Sequence, residues 1–292
     1  MIAAIASAFR MLNAQLLYRQ GLVNKLLKGS YLMSVYFFRR WVKKKRPPQL
    51  TIINNYDSDL KIQVDLSKTM GASLFWTGFH EFNEMRFLNR YLREDMIFVD
   101  VGANQGEFSL FASRRLPKGK VLAFEPMSLF FDRLSFNIRL NGITNIQCYK
   151  LGLSDRSGEV PIYFNANNKH DHEGLASIFP IDQQDQTREM ISLAVLDEIV
   201  EKEAVNRIDF IKIDVEGSEW AVLRGSRQVL QKFKPALMVE LNDETAALAG
   251  YTVEEMIGWL EQLGYVPHQI RRNKLVPLEN RLPFCNAVFI VR

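Results

Sequence analysis

Cysteine is scarce in this chain of 292 residues, and long apolar runs are missing. Cys148 and Cys285 each lie inside an apolar, strand-like segment, which argues against a disulfide framework or a cysteine metal site and favours buried thiols in a reducing compartment, the cytoplasm. No uncharged apolar run reaches the roughly 18 to 20 residues of a membrane-spanning helix. No basic stretch precedes the first apolar run as it would in a secretory signal. The composition, with 47% hydrophobic and 24% charged residues, is that of a globular chain.

Acidic residues are absent from the first part of the chain. Residues 1–46 carry ten Lys and Arg and no acid, which leaves a net charge of −6 for the remainder. Arg39, Lys43 and Arg46 recur at helical spacing, and two prolines follow, so we predict a basic amphipathic helical arm over residues 1–48. Three interpretations stay open: peripheral contact with an anionic membrane, a helical cap packed on the domain, and an organelle transit segment. A nucleic-acid-binding core is not expected.

The stretch Phe98-Val-Asp-Val-Gly-Ala-Asn-Gln-Gly106 has the pattern of a buried strand, a tight glycine turn and a helix start. Asn104 is placed to cap the helix, with Glu107 three residues later in capping-box position. Gly102 lets the backbone turn and a ligand approach, and Gly106 lets the helix pack close to the sheet. Because a helix N-terminus suits an anionic group, we expect a nucleoside-type ligand here.

A second apolar run ends in Glu125, nineteen residues after Gly106, where a carboxylate commonly accepts both hydroxyls of a ribose. Asp100 precedes a Gly-x-Asn-x-Gly turn that departs from the G-x-G-x-x-G pattern of dinucleotide sites. This turn resembles the nucleotide loop of class I S-adenosylmethionine (SAM) methyltransferases. A dinucleotide site and a glycine turn without a ligand remain the alternatives.

The remaining runs predict an α/β doubly wound sheet, mostly parallel, with an antiparallel last strand. Residues 49–80 read as an accessory strand hairpin and residues 81–292 as the main domain. Residues 165–190 form a polar insertion, interpreted as a substrate-covering lid or a solvated loop. His172 lies in it, with one further histidine two residues before it; a permanent metal site is not favoured there, because a third ligand is missing.

Polar side chains follow two further predicted strands. Lys212 and Asp214 share one face of a strand, and Asp214 and Glu216 come where that strand ends. Glu240 and Asn242 end the next strand. Because Asp214, Glu240 and Asn242 offer the oxygen ligands that suit Mg²⁺, they are candidate metal ligands. Hydrogen bonding to a cofactor or sugar, and a salt bridge between Asp214 and Lys212, are the simpler interpretations.

Several of these motifs together resemble the FkbM family of SAM-dependent methyltransferases. They are Val99-Asp-Val-Gly-Ala-Asn-Gln-Gly106, Ala123-Phe-Glu-Pro126, Leu140-Asn-Gly-Ile-Thr-Asn-Ile146 and Asp209-Phe-Ile-Lys-Ile-Asp-Val-Glu-Gly-Ser-Glu219. The likeness covers roughly residues 78–242. It implies a class I methyltransferase fold and O-methylation of a hydroxyl on a sugar, glycan or other natural product, while residues 1–77 and the insertion lie outside the shared motifs.

This resemblance implies roles for the candidate residues. Cofactor binding is expected from residues along the strand ends, with the glycine loop on the methionine part of SAM, Glu125 on the ribose, and Asp155 with its neighbours on the adenine. The expected cofactor residues are Asp100, Gly102, Asn104, Gly106, Glu125, Ser154, Asp155 and Asp214. The candidate catalytic residues are Asp214, Glu216 and His172. A dinucleotide oxidoreductase and a non-catalytic module that binds a glycan or membrane are the alternatives from other functional classes.

Overall fold

The computed structural model describes residues 2–18, 23–42, 47–164, 178, 187–271 and 274–291. Its helices, in chain order, are α1 (Ile2–Tyr18), α2 (Val23–Val42), α3 (Thr69–Thr77), α4 (Phe82–Tyr91), α5 (Glu107–Arg115), α6 (Ser128–Leu140), α7 (Leu196–Lys202), α8 (Glu219–Arg224), α9 (Arg227–Phe233), α10 (Asp243–Leu248) and α11 (Val253–Gln262). Its strands are β1 (Leu50–Tyr56), β2 (Leu60–Asp65), β3 (Ile97–Val101), β4 (Lys120–Phe124), β5 (Ile146–Tyr149), β6 (Gly152–Leu153), β7 (Gly158–Phe164), β8 (Thr187–Ala194), β9 (Phe210–Ile213), β10 (Ala236–Asn242), β11 (Tyr265–Arg271), β12 (Lys274–Pro277) and β13 (Phe284–Val291).

Eight strands form the central sheet in the order β12-β11-β13-β10-β9-β3-β4-β5. The pairs from β10 to β5 are parallel, and β13 runs antiparallel to β10 and β11. This is the class I methyltransferase fold, so the predicted doubly wound sheet with an antiparallel last strand is confirmed. The sequence did not predict β12, helices α3 and α10, or the pairing of β6, β8 and β7 into a small separate sheet.

The strand sequences alternate between two apolar cores, one on each face of the sheet. Phe98 and Phe210 stack across the β3–β9 pair with ring centroids 5.3 Å apart, and they face the core shared with α4 and α5. Val99 and Ile211, one residue further along, face the opposite core with α11. Asp100 and Lys212 lie on the same face of the sheet as Phe98. These two polar side chains therefore lie on one side of the sheet, near the carboxyl ends of its strands.

The accessory hairpin β1–β2 is antiparallel, as predicted, and it braces the loop after β3. The Tyr56 hydroxyl, fully buried, donates to the Glu107 carbonyl at 2.8 Å. Asn137 of α6 accepts the Gln63 N–H at 2.7 Å and donates to the Gln105 carbonyl at 2.9 Å. The hairpin therefore contributes to the shape of the glycine loop, although it precedes that loop in the chain by about forty residues.

The arm forms two helices, which pack against α3. Asn13 donates from Nδ2 to Ser34 Oγ at 3.0 Å and to the Thr77 carbonyl at 2.9 Å, which joins α1, α2 and α3. The Phe37 ring stacks on Trp76 with centroids 5.2 Å apart. The arm is thus packed on its neighbours, as one of the three interpretations expects. The division of the chain at residues 48 and 80 stays a prediction. None of the described helices combines the length and apolar character needed to cross a bilayer.

Candidate functional site

A cavity of about 460 Å³ opens at the carboxyl edge of the sheet. The loops after β3, β4, β9 and β10 form its floor, and the segment between α3 and α4 contributes one wall. One end is apolar and the other is rich in carboxylates. Open α/β sheets bind their ligands at this edge, so the cavity is the candidate active site.

The glycine loop after β3 is held by backbone contacts. The Gly102 and Ala103 N–H groups donate to the Phe124 carbonyl at 3.0 and 2.9 Å. At Gly102 (φ +78°) a Cβ would lie 1.9 Å from the Asp214 carbonyl oxygen, so glycine is needed for the contact between this loop and the turn after β9. At Gly106 (φ +97°) the close neighbour is the Leu134 side chain of α6 at 2.7 Å, and not the sheet.

The predicted capping box at the start of α5 is wrong. The cap position belongs to Gly106, without a side-chain hydrogen bond. Asn104, two residues earlier, adopts a left-handed conformation (φ +50°), and its Oδ1 accepts the Gln105 N–H at 2.8 Å, ahead of the helix. The Glu107 carboxylate instead accepts the His80 N–H at 2.8 Å. A capping box does form at the start of α11, between Thr252 and Glu255.

Glu125 lies at the end of β4 and lines the cavity beside Asn104. Its two carboxylate oxygens accept the N–H groups of Asn104 at 2.8 Å and Met127 at 2.9 Å. Burial raises the pKa of Glu125 to about 7, although both hydrogen bonds act in the opposite direction. Each oxygen still has a lone pair for a further donor. This buried carboxylate can therefore accept hydroxyl hydrogen bonds from a bound molecule.

The apolar end of the cavity lies between α6 and the small sheet. Phe130, Ile162 and Ile191 are buried there in a core of their own, and Ile178 packs against it. Ser154 is a polar residue of this region that lines the cavity. A flat, largely apolar ring fits such a wall, because apolar contacts bind it and a few polar groups orient it.

Lys212 lies buried in β9 at the acidic end. Its Nζ donates to Asp214 Oδ2 at 2.9 Å and lies 4.6 Å from the centroid of the Phe108 ring. Burial lowers the pKa of Lys212, but the carboxylates of Asp214, Asp100 and Glu81 act against burial and together raise it above its ordinary value. Lys212 therefore stays protonated and stabilises the acids around it.

Three carboxylates face one another beside Lys212. Asp214, Glu216 and Glu240 each offer an oxygen atom, and these atoms lie within 4.8 Å of one another. Glu240 is 7% exposed, and its Oε2 has no hydrogen-bond partner among the described residues. Burial, with Asp214 nearby, raises the pKa of Glu216 and Glu240. Asn242, the third predicted metal ligand, uses its Oδ1 to cap α10 by accepting the Glu244 N–H at 3.1 Å.

The turn after β9 is braced by Glu219, whose role the sequence did not predict. Its buried carboxylate accepts the N–H groups of Val215 at 3.1 Å and Gly217 at 3.0 Å, and the Tyr251 hydroxyl at 3.0 Å. Glu216 between them adopts a left-handed conformation (φ +50°), which costs energy for a residue other than glycine. The brace therefore holds Glu216 at the cavity in a conformation that the turn alone would not favour.

Asp100 and Asp155 do not line the cavity, although both were expected to bind cofactor. Asp100 is fully buried beneath the glycine loop, where Ser109 donates to it at 2.6 Å. Asp155 pairs with Arg224 at 2.6 Å on the surface. Of the other expected cofactor residues, Gly102, Asn104, Glu125, Ser154 and Asp214 line the cavity, whereas Gly106 does not. His172 lies outside the described residues.

Two acids of the cavity were not among the predicted site residues. Glu81 precedes α4, accepts a hydrogen bond from Asn286 at 3.2 Å, and has a second oxygen that is buried without a partner among the described residues. Glu107 is 1% exposed. The sequence signal for such a residue is a carboxylate among apolar residues, as in Phe79-His-Glu-Phe82. An acid that is buried with its apolar neighbours is rare unless a local partner offsets the cost of burial.

Comparison with known proteins gives consistent matches. The family described as the Methyltransferase FkbM domain matches residues 100–267, more than half of the chain. The chain is similar to the hexuronic acid methyltransferase AglP of Haloferax volcanii, with 34% identity over 152 residues that cover 50% of this chain and 56% of that protein. It is 29% identical over 163 residues to methyltransferase sdnD of Sordaria araneosa, covering 46% of this chain and 61% of that one. The chain thus spans less than two thirds of the length of either relative.

Two solved structures are similar in outline. The methyltransferase FkbM from Methylobacillus flagellatus has a TM-score of 0.46 and 14% identity, covering 90% of this chain and 60% of that one. A putative methyltransferase from Streptococcus mutans in complex with SAH has a TM-score of 0.42 and 11% identity, covering 71% and 94%.

Proposed function

Because the chain belongs to the Methyltransferase FkbM domain family, we propose that it is a SAM-dependent methyltransferase that methylates a hydroxyl group. One observation carries the proposal: a single cavity joins the glycine loop and Glu125 to the carboxylates of Asp214, Glu216 and Glu240. A nucleoside held at the first group would place its reactive end toward the second.

The described residues fit SAM at two points. The apolar end, with Ser154 on its wall, has the character that a purine ring requires. Glu125 keeps acceptor capacity for the two hydroxyls of a ribose. When bound, SAM supplies an electrophilic methyl group on a cationic sulfur, and the surrounding acids favour that charge. Asp100, which lies under the loop, acts by positioning it.

The acidic end would hold the methyl acceptor. A hydroxyl of the acceptor would donate a hydrogen bond to one of the carboxylates of Asp214, Glu216 and Glu240, and that carboxylate would take the hydroxyl proton as the methyl group leaves the sulfur of SAM for the hydroxyl oxygen. Alignment of the reacting atoms can supply effective molarities of about 10⁵ to 10⁸ M. A general base typically adds about 10² to 10⁴-fold. Positioning by the braced turn after β9 is therefore the larger contribution.

We propose that the acceptor is a neutral sugar or polyol. The relative AglP is a hexuronic acid methyltransferase by name. In this chain Glu81, Glu107, Glu216 and Glu240 line the acceptor end, and Lys212 already pairs with Asp214, so a carboxylate on the acceptor would lose its hydration without gaining a cation among the lining residues. With labelled SAM, a neutral hexoside should be methylated about tenfold or more faster than the matching uronoside. Equal or faster reaction of the uronoside would contradict this acceptor class.

Mg²⁺ at Asp214 and Glu240 is the alternative for the acceptor end, because carboxylate oxygens suit it and it would polarise the acceptor hydroxyl. The capping role of Asn242 removes one of the three predicted ligands. Activity lost in EDTA and restored by Mg²⁺ would support the metal. Activity unchanged in EDTA would leave the carboxylates acting alone.

A thermal-shift panel with SAM, S-adenosylhomocysteine and NAD tests the proposal. Both adenosyl ligands should raise the melting temperature, since a ligand at 100 times its Kd stabilises by about 2.7 kcal/mol. NAD should not. A shift with NAD alone would favour an oxidoreductase, and no shift with any of the three would favour a module that binds without catalysis.

A further inference from the structure

The arm has an outer face that the rest of the protein does not cover. On α2 it consists of Leu32, Met33 and Tyr36, which are 68%, 50% and 52% exposed. On α1 it includes Met11 and Leu12, which are 56% and 39% exposed. We call these five residues the outer face. Clustered exposed apolar residues of this kind mark interaction surfaces.

The two helices lie antiparallel, so residues 9–13 of α1 lie beside residues 34–37 of α2. The Asn13 side chain bonds to Ser34, and the Phe9 ring lies 5.8 Å from the Phe37 ring. These contacts place Met11 and Leu12 at the same level along the pair as the residues just before Phe37. The inner side is already committed to α3 through Asn13 and Phe37. The arm therefore packs on the rest of the protein without using the outer face.

Charge identifies the kind of partner. Arg39 and Arg40 are exposed one to two turns beyond Leu32 and Met33 on the same side of α2. By sequence, four further basic residues follow at positions 43–46, and residues 1–46 contain no acid. The surface therefore combines apolar and basic side chains in a segment without acids. Such a surface suits a partner in which an apolar layer lies beneath anionic groups.

We propose that the outer face binds the surface of an anionic membrane. Its apolar side chains enter the boundary between headgroups and acyl chains, and Arg39 and Arg40 contact lipid phosphates and carboxylates. Each basic residue near such a surface contributes about 1 kcal/mol, which suffices for reversible binding. A second copy of this chain is a poorer partner, because its outer face would bring like charge against like charge.

Sedimentation with vesicles tests the proposal on the full chain. The protein should bind vesicles of phosphatidylcholine with phosphatidylserine, bind phosphatidylcholine vesicles less, and lose affinity as salt rises. Leu32→Glu with Met33→Glu should weaken binding about tenfold or more, because it removes apolar contact and adds repulsion. Arg39→Glu with Arg40→Glu should weaken binding to the anionic vesicles.

Leu248→Glu with Met190→Glu is the matched control, because these residues are 51% and 59% exposed and lie outside the arm. This variant should bind like the wild type. Each variant should keep the wild-type circular dichroism spectrum; if the Leu32/Met33 variant does not, the Arg39/Arg40 variant decides. Absence of vesicle binding, or binding that both arm variants retain, would overturn the proposal. So would light scattering that shows a wild-type dimer and a monomeric Leu32/Met33 variant, which would assign the face to a second copy.

Discussion

The cavity and the outer face of the arm hold charge in opposite ways. In the cavity, acids such as Glu107 and Glu240 are buried around Lys212, so each carboxyl group loses its hydration and its ionisation depends on its immediate neighbours. On the arm, Arg39 and Arg40 are exposed and keep their hydration. Buried charge selects a ligand at short range, whereas exposed charge attracts a surface at long range and weakens with salt.

The largest expected effect is on stability, from Lys212→Met. Removal of the Lys212 ammonium leaves the buried Asp100 and the half-buried Asp214 without it, and breaking a buried ion pair typically costs about 3 to 5 kcal/mol. Urea denaturation measures the loss. Lys232→Met, at an exposed lysine of α9, should change the free energy of unfolding little. A loss for Lys212→Met no larger than that of Lys232→Met would mean that the surrounding acids are not ionised.

The pH dependence of stability tests the same difference between buried and exposed ionisable groups. Burial raises the pKa of Glu107 to about 8, above its value of 4.5 in the unfolded chain, while the His80 N–H acts in the opposite direction. The folded protein therefore keeps a proton that the unfolded chain releases, and stability falls as the pH rises from about 4.5 to about 8. Glu107→Gln should reduce this fall by a few kcal/mol, since each pKa unit is worth about 1.4 kcal/mol.

Melting temperatures measured across this pH range provide the test of the Glu107 prediction. Glu244→Gln, at an exposed glutamate of α10, is the control and should leave the pH profile unchanged. If Glu107→Gln leaves the profile unchanged as well, the Glu107 carboxyl is ionised in the folded protein.

A smaller effect is expected on cofactor affinity. Glu125→Gln keeps one acceptor oxygen but replaces the other with a donor amide, which cannot accept from a ribose hydroxyl or from a backbone N–H. The Kd for SAM, measured by calorimetry, should rise about tenfold, equivalent to 1.4 kcal/mol. Asp155→Asn should raise it less than about twofold, because that carboxylate pairs with Arg224 outside the cavity. A larger rise in Kd for Asp155→Asn than for Glu125→Gln would mean that Asp155, and not Glu125, binds SAM.

The smallest effect concerns the attachment of the arm. Trp41 donates from Nε1 to the Leu66 carbonyl at 3.0 Å, and Trp41→Phe should cost about 1 kcal/mol of unfolding free energy by removing this donor. Tyr36→Phe on the outer face should cost less, because the hydroxyl is exposed. Affinity for SAM should stay the same in both variants. A change in SAM affinity would show that the arm and the cavity are coupled.

The central sheet could be predicted from sequence because its strands are short, apolar and followed by turn residues. Phe98 and Phe210 belong to runs of this kind, and the glycine turn and Glu125 come at the spacing that is typical of a strand, a helix and a second strand. The site residues at strand ends, such as Asp214 and Glu240, followed from the same rule.

Residues that reach the site from elsewhere could not be placed. Glu81 precedes α4 and meets Asn286 of β13, 205 positions later, a contact that no local pattern reports. The helix cap at Asn104 was predicted from residue type, but the backbone turns through a left-handed conformation there and moves the helix start to Gly106. Asp155 follows a strand, as a ligand-binding acid should, yet Arg224 holds it at the surface.

The hydrogen bonds of Glu219 fix the turn after β9, which forms one side of the cavity. One carboxylate fastens two amides and the Tyr251 phenol, and Gly217 already approaches the Thr245 carbonyl, where a Cβ would lie 2.9 Å away. The turn after β9 therefore cannot change its conformation to accommodate a different acceptor. The opposite wall, with His80 and Glu81, comes from a connection between helices in which the His80 N–H donates to Glu107 and Glu81 accepts from Asn286, so each residue depends on a partner in a separate element. Relatives that methylate other molecules should differ along that wall and keep the turn.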